Sequence, residues 1–132
     1  MQPMEAGPDG RFAVASRTAG GPGRIVLALS GELDEDTVDA LRGALYAAPG
    51  AGHVVVDCSA LRFCDSSGLN VLLRARLRMR ERGGRLDLAD LRPPVDRMFE
   101  ITGARSVFRV YESVAAALAA GPGDGPEPPS RA

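Results

Sequence analysis

The sequence predicts an α/β fold, a single domain in which a mixed, largely parallel β-sheet of about four to five strands packs with about four α-helices. Short apolar or alternating segments are separated by longer segments of helical periodicity, which is the order that parallel crossovers require. The 132 residues suffice for one domain with its own core but not for two. Hydrophobic residues make up 45% of the chain and charged residues 25%, close to the averages of globular proteins.

The predicted strands are short, rich in apolar residues and bounded by turn-forming residues. Residues 24–30, RIVLALS, form a nearly continuous apolar run of the kind that is buried within a sheet. Residues 53–58, HVVVDC, are β-branched and follow a glycine, and they predict the central strand. Residues 59–64 are expected to form a loop. The predicted strands are 11–16, 24–30, 53–58, 85–89 and 107–111.

Each predicted helix begins and ends at residues suited to helix termini. Asp34 is expected to cap the first helix, with Glu35 and Asp36 in its first turn. The longest helix is expected to begin near Ser66 and to end before Gly83. The predicted helices cover about 34–49, 66–82, 93–103 and 112–120.

Both ends of the chain are expected to be flexible tails. Residues 1–10 and 121–132 are rich in glycine and proline, and such segments bury too little apolar surface to offset the entropy of ordering. The predicted domain therefore covers 11–120. No apolar run reaches the length of a membrane span and the first residues lack a signal-peptide pattern, so a cytoplasmic protein is expected.

The composition excludes several classes of function. A net charge of −1 gives no field that would attract nucleic acid or an anionic membrane, so a protein partner is expected. All basic residues are arginine, which excludes a covalent mechanism based on lysine. Cys58 and Cys64 lack the spacing of a redox pair and are expected to be buried thiols, and His53, the only histidine, is expected at a strand edge. Neither a metal site nor a cofactor is expected.

Residues 63–73, FCDSSGLNVLL, carry the clearest functional signal, at the junction where a strand and loop lead into a helix. Asp65, Ser66 and Ser67 can all accept hydrogen bonds from the unpaired N–H groups of a first helical turn, so a helix cap is the simplest interpretation. The same geometry exposes a hydroxyl beside free N–H groups, a place suited to an anion. A phosphate on Ser66 would add a charge of about −1.5 to −2 and would alter docking rather than folding.

DSSGL at 65–69, following HVVVDCSALRFC, together with GELD at 31–34, resembles the STAS domain of anti-sigma factor antagonists. The resemblance spans about 24–120. It implies that the unmodified protein binds an anti-sigma factor that is also a serine-protein kinase, and so releases a sigma factor in a stress response or in sporulation. The kinase, which binds the ATP, would phosphorylate Ser66, and a phosphatase of the PP2C type would remove the phosphate.

The same resemblance implies a docking surface around the phosphorylated serine. Ser67 and Gly68 would shape the helix start and let the partner approach closely, and Asp34 would lie near Ser66. The partner-binding residues implied in this way are Asp34, Asp65, Ser66, Ser67, Gly68 and Leu69.

Two alternative functions remain open at the level of sequence. A STAS module that is never phosphorylated would serve as a scaffold or docking subunit. An enzyme using Ser66 or Ser67 as a nucleophile is disfavoured, because the sequence has no GxSxG motif and His53 is predicted on a distant strand.

The long predicted helix has one anomaly. Arg76 and Arg80 project into a broad apolar arc and are expected to extend past the edge of the sheet. The arginines from 74 to 85 alternate, so they are expected to be spread around the helix, in solvent and in some partner contacts. The arc consists of Leu69, Leu72, Leu73, Leu77 and Met79.

Overall fold

The computed structural model describes residues 4–6, 10–47 and 50–120, and within them six strands form one sheet in the order β1-β2-β3-β4-β5-β6. The β1, β2 and β3 strands are antiparallel neighbours, and β3 to β6 run parallel. The predicted mixed, largely parallel α/β fold is confirmed. The strands are β1 (Met4–Ala6), β2 (Phe12–Thr18), β3 (Arg24–Leu33), β4 (His53–Cys64), β5 (Arg85–Ala89) and β6 (Val110–Tyr111), and the helices are α1 (Val38–Tyr46), α2 (Ser66–Glu81), α3 (Val95–Thr102) and α4 (Val114–Ala120).

Helices cover both faces of the sheet. One core cluster joins alternate strand residues, such as Leu27 and Leu88, to Leu41 of α1, Leu72 of α2 and Phe99 of α3. The opposite face packs against α4 in a smaller cluster. Because both faces of β4 are covered, three consecutive valines fit there without polar alternation. The smaller cluster consists of Val26, Val55, Ala89 and Ala117. Within the described residues, no helix is long and apolar enough to cross a membrane.

The β4 strand is longer than predicted, since residues 59–64 continue it and do not form a loop. This second half pairs with the end of β3, up to the register Leu33↔Cys64, and buries Leu61 and Cys64. The register shifts between Ala28 and Ser30, so the residues beyond it do not alternate strictly between buried and exposed. The loop prediction is wrong because this register shift interrupts the alternation of buried and exposed residues by which a strand is recognised in a sequence.

The remaining corrections concern the edges of the fold. Met4–Ala6 pairs with β2, so the sheet extends into the segment expected to be a tail; residues 1–3, 7–9 and 121–132 lie outside the described residues. The final strand is only Val110–Tyr111, because the N–H groups of Val107 and Phe108 donate to the carbonyl of Ala104 in the 3₁₀ turn that precedes it. After that turn, Phe108 packs on Phe99 with ring centroids 6.0 Å apart.

His53 begins β4, but it is buried and not at an exposed strand edge. Arg24 Nε donates to its Nδ1 at 3.3 Å, and its Nε2 lies 2.8 Å from Asp87 Oδ2, which also accepts from Arg85 Nε at 2.8 Å. Since Nδ1 accepts a hydrogen bond, the ring proton resides on Nε2. The histidine therefore belongs to a buried polar cluster at the amino-terminal ends of the parallel strands.

Candidate functional site

The candidate site lies where β3 and β4 end side by side. The two strands are paired up to Leu33 and Cys64, and the N–H of Asp65 donates to the carbonyl of Leu33 at 3.1 Å. The next residues along each strand, Asp34 and Asp65, therefore leave the sheet at the same edge. The register thus brings the two sequence motifs together.

Asp65 is the N-cap of α2. Its Oδ1 accepts hydrogen bonds from the N–H groups of Ser67 at 2.9 Å and Gly68 at 3.2 Å, and its backbone is extended, as a cap requires. Ser66 is the first residue of the helix and is exposed. The predicted helix start and the exposed hydroxyl are confirmed. The N–H groups of Ser67 and Gly68 are not free as predicted, because both donate to Asp65.

Gly68 lets α2 pack directly on the end of β3. A Cβ at this position would lie 2.6 Å from Leu33 Cγ and 3.0 Å from Cys64 Sγ. Gly68 and Leu69 are both buried, and Leu69 belongs to the main core. Burial assigns both residues to helix packing, in agreement with the expectation that Gly68 shapes the helix start, and contact of Gly68 and Leu69 with a partner stays a prediction.

Gly31, which begins the GELD motif, also allows a close approach of two chain segments. Its φ of +92° is strained for residues with a side chain, and a Cβ would lie 1.8 Å from the carbonyl oxygen of Arg11. The N–H of Glu32 donates to that same carbonyl at 3.0 Å. Gly31 therefore allows the chain entering β2 to cross the end of β3.

Asp34 closes the turn that precedes α1 and does not cap the helix itself. Its Oδ1 accepts from the N–H groups of Asp36 at 2.9 Å and Thr37 at 3.2 Å. Thr37 is buried, and its hydroxyl donates to the carbonyl of Glu32 at 2.8 Å. The first helix therefore begins at Val38 with Thr37 at the cap position, three residues later than a cap at Asp34 predicts.

Arg11 holds this acidic turn in place, a role that the sequence did not indicate. Its guanidinium lies 3.1 Å from Glu32 Oε1, 2.8 Å from Asp34 Oδ2 and 3.8 Å from Asp36 Oδ2. The hydrogen bond from Arg11 lowers the pKa of Asp34 below its ordinary value. Arg11 and Asp34 are 23 residues apart, so no local pattern could have revealed the contact.

The helical arc predicted for α2 is shifted in the structure. The buried face is formed by smaller residues as well as leucines, whereas the side chain of Leu77 is 55% exposed. Arg76 is half-buried and Arg80 is exposed, so these arginines do not interrupt the packed face. The buried residues of α2 are Gly68, Leu69, Val71, Leu72 and Ala75.

The cysteines are the buried thiols that the sequence predicts. Burial raises the pKa of Cys64 to about 12, and it raises the pKa of Cys58 still further. Both side chains therefore remain protonated at neutral pH and act as small apolar groups.

Comparison with known sequences identifies similar proteins over most of the chain. The family model described as "Mlab, STAS domain" matches residues 16–110. The anti-sigma F factor antagonist of Paenibacillus polymyxa is 33% identical over 99 residues, which cover 73% of this chain and 85% of that protein.

Solved structures share the same fold. An anti-sigma factor antagonist from Mycobacterium paratuberculosis is 28% identical and superposes with a TM-score of 0.74, covering 87% of this chain and 97% of that one. The Bacillus cell fate determinant SpoIIAA in its phosphorylated form gives a TM-score of 0.64 at 23% identity, covering 80% of this chain and 96% of that one. The arrangement of strands and helices around the candidate site is therefore shared with proteins of known structure.

Proposed function

Because the chain belongs to the STAS domain family, we propose that it is an anti-sigma factor antagonist whose docking is abolished by phosphorylation of Ser66. The unmodified protein binds an anti-sigma factor that is also a serine-protein kinase, and a sigma factor is released. A PP2C-type phosphatase restores the unmodified form. The switch works in the cytoplasm, without membrane or direct nucleic-acid contact, in a stress response or in sporulation.

The position of Ser66 is the observation that carries this proposal. Its side chain is exposed at the first position of α2, while Asp65 provides the cap and Gly68 and Leu69 provide the packing. A group added to the Ser66 hydroxyl therefore leaves the fold unchanged and alters only the surface.

Electrostatics explain why phosphorylation would disfavour docking. A phosphate adds a charge of about −1.5 to −2 to an edge that already carries Asp65 and an acidic turn whose three carboxylates share the guanidinium of Arg11. Because Asp65 Oδ1 occupies the N–H groups of Ser67 and Gly68, the phosphate cannot gain those hydrogen bonds without displacing the cap. The added charge stays at the surface, where it repels an acidic partner and makes burial against an apolar one costly.

A catalytic role for the serines is not supported by the geometry. His53 is the only histidine of the sequence, and both of its ring nitrogens have partners in the buried cluster. It begins β4, whereas Ser66 follows the end of that strand, so the two side chains are separated by a distance on the order of 30 Å. The residue therefore cannot serve Ser66 as a general base.

The test uses the cognate anti-sigma factor, identified by copurification from native cells and then purified separately. Wild type, Ser66→Ala, Ser66→Asp and the control Ser67→Ala are incubated with it and ATP and analysed by mass spectrometry and binding titration. We expect phosphate on wild type and Ser67→Ala only, retained binding for Ser66→Ala, and weakened binding with an unchanged unfolding curve for Ser66→Asp. Phosphate on Ser67, or unfolding of Ser66→Asp, would contradict the proposal.

A constitutive docking module is the second candidate. It is favoured by one observation: the N–H groups of Ser67 and Gly68 already donate to Asp65, so they are not available to bind a phosphate. Binding of the anti-sigma factor by wild type, with no phosphate on Ser66 in the presence of ATP, would establish this alternative.

A further inference from the structure

A groove runs between α1 and α2, beginning beside the candidate site. Its first part, of about 470 Å³, is lined by residues that include Glu35 and Ser67, and its second part, of about 260 Å³, extends to Gly84 at the far end of α2. The two parts share Tyr46 and Arg78. The two parts therefore lie on either side of the contact between Arg78 and Tyr46, and together they extend from Ser67 to the opposite end of the helix pair.

The groove is basic although the whole chain is not. Its lining includes four arginines and one glutamate, whereas the net charge of the protein is −1. Two of the arginines on α2 and the one that follows its last residue are spaced four residues apart, which places them on one face of the helix. The lining arginines are Arg42, Arg74, Arg78 and Arg82.

Two of these four arginines have no carboxylate partner within the described residues. Arg42 pairs with Asp39 on the same helix, and Arg78 lies over the ring of Tyr46 at 4.7 Å, but Arg74 and Arg82 have no acidic partner in the described part of the chain. By contrast, Arg11 and other arginines of the chain pair with carboxylates. At Arg74 and Arg82 the groove therefore presents positive charge that no carboxylate of the described residues pairs with.

An aromatic ring and an apolar floor accompany the charge. The side chain of Tyr46 is 56% exposed, although the guanidinium of Arg78 covers one face of its ring. Val38, Val71 and Met79 also line the groove. Aromatic and arginine side chains set in a partly apolar depression are characteristic of the residues that dominate protein interfaces.

We propose that the groove between α1 and α2 binds an acidic segment of the anti-sigma factor, the same partner whose surface covers Ser66. The inference rests on the proposed function and specifies its docking surface. From Arg74 to Arg82 the basic face is about 12 Å long, which matches about two turns of an acidic helix. Charge complementarity selects the acidic segment, and the apolar floor accommodates its buried side.

A nucleic acid fits this groove less well than a protein. The short basic face provides too few positive charges for the contacts on which nucleic-acid affinity depends. A nucleic-acid backbone would also leave the apolar floor unused.

The groove also gives the phosphorylation switch a direct target. Ser67 lines the end of the groove, and Ser66 precedes it at the helix start. A phosphate on Ser66 would lie where the acidic segment enters, so like charges would repel at that point. Phosphorylation and groove binding are then opposing events on adjacent residues.

The test compares two double variants that change the net charge equally. Arg74→Glu/Arg78→Glu alters the groove, and Arg80→Glu/Arg97→Glu alters exposed residues of α2 and α3 that do not line it. We expect the groove variant to bind the purified anti-sigma factor at least about tenfold more weakly than wild type, and the control to remain within about twofold. Wild-type affinity should fall as salt rises from about 50 to about 300 mM, and the groove variant should lose most of this dependence.

The outcomes separate the two proposals. If wild type binds no anti-sigma factor, the proposed function fails; if wild type binds and both double variants bind equally well, the groove inference alone is overturned. A fluorescein-labelled DNA duplex is titrated in the same buffers. Duplex binding that is lost only in the groove variant, with anti-sigma factor affinity unchanged, would assign the groove to nucleic acid and overturn the inference. Circular dichroism melts check that each variant is folded.

Discussion

Replacing Gly68 by alanine measures how tightly α2 packs on the end of β3. The added Cβ would lie 2.6 Å from Leu33 Cγ, 2.7 Å from Leu33 Cδ2 and 3.0 Å from Cys64 Sγ. Leu33 is fully buried and Cys64 nearly so, which leaves little room for either side chain to move. Overpacking of this kind costs about 1–3 kcal/mol, and the better helix propensity of alanine recovers at most about 1 kcal/mol. A net loss of about 1–2 kcal/mol in the free energy of unfolding is expected.

The matched control is Gly43→Ala in the middle of α1, where nothing lies within 4 Å of the new Cβ. This variant gains helix propensity without a clash and should be more stable than wild type by about 0.5–1 kcal/mol. Urea unfolding followed by far-UV circular dichroism measures both changes, provided that the m-values agree. Equal stability of the two variants would refute the close contact between Gly68 and Leu33.

A double-mutant cycle identifies the clashing partner. Leu33→Ala alone removes a buried side chain and should cost about 2–5 kcal/mol. In that background the leucine atoms that crowd the new Cβ are absent and only the contact with Cys64 Sγ remains, so Gly68→Ala should destabilise the protein much less than it does in wild type. An unchanged effect of Gly68→Ala would show that the cost arises elsewhere.

Three further predictions concern the two motifs. Gly31→Ala should lower the melting temperature far more than Gly21→Ala: both glycines have positive φ, worth about 1–2 kcal/mol, but only Gly31 would place a Cβ 1.8 Å from a carbonyl oxygen. Asp65→Ala should cost about 0.5–2 kcal/mol in urea unfolding through loss of the cap, and Asp65→Asn much less. The pKa of Asp34 is lowered in the folded state. The contribution of Asp34 to stability is therefore complete above about pH 4, the pKa in the unfolded chain, and is lost as the pH falls through the pKa in the folded protein. Arg11→Ala should raise the pKa of Asp34 in the folded protein, as measured by carboxyl ¹³C NMR.

The sequence predicted the elements whose signals are local. The α2 helix begins at Ser66 and ends at Glu81, as expected from the polar cap residues before it and the Gly83-Gly84 pair after it. The strand cores at 24–30 and 53–58 are present because continuous apolar runs fit a sheet covered on both faces.

The errors arise where distant contacts decide the structure. Residues 59–64 continue β4 because the end of β3 provides hydrogen-bond partners, which no pattern within the segment reveals. The α1 helix begins late because Asp34 is held in the preceding turn, where its carboxylate pairs with Arg11, 23 residues away in the sequence. The face of α2 was misplaced because the prediction weighted large apolar residues, whereas Gly68 and Ala75 form part of the packed face and Leu77 does not.

The two motifs therefore contain residues that build the fold, and Ser66 is not among them. Gly31, Leu33 and Gly68 pack closely against neighbouring atoms. The Asp65 carboxylate accepts hydrogen bonds from the first turn of α2. The residue types at these positions are therefore explained by the fold. Ser66 is exposed and provides neither the cap nor a core contact among the described residues, so packing does not require a serine there. Because the Ser66 side chain has no structural role among the described residues, modification of Ser66 can change binding while the free energy of unfolding stays constant. That separation is what makes the comparison of Ser66→Asp binding with Ser66→Asp stability decisive.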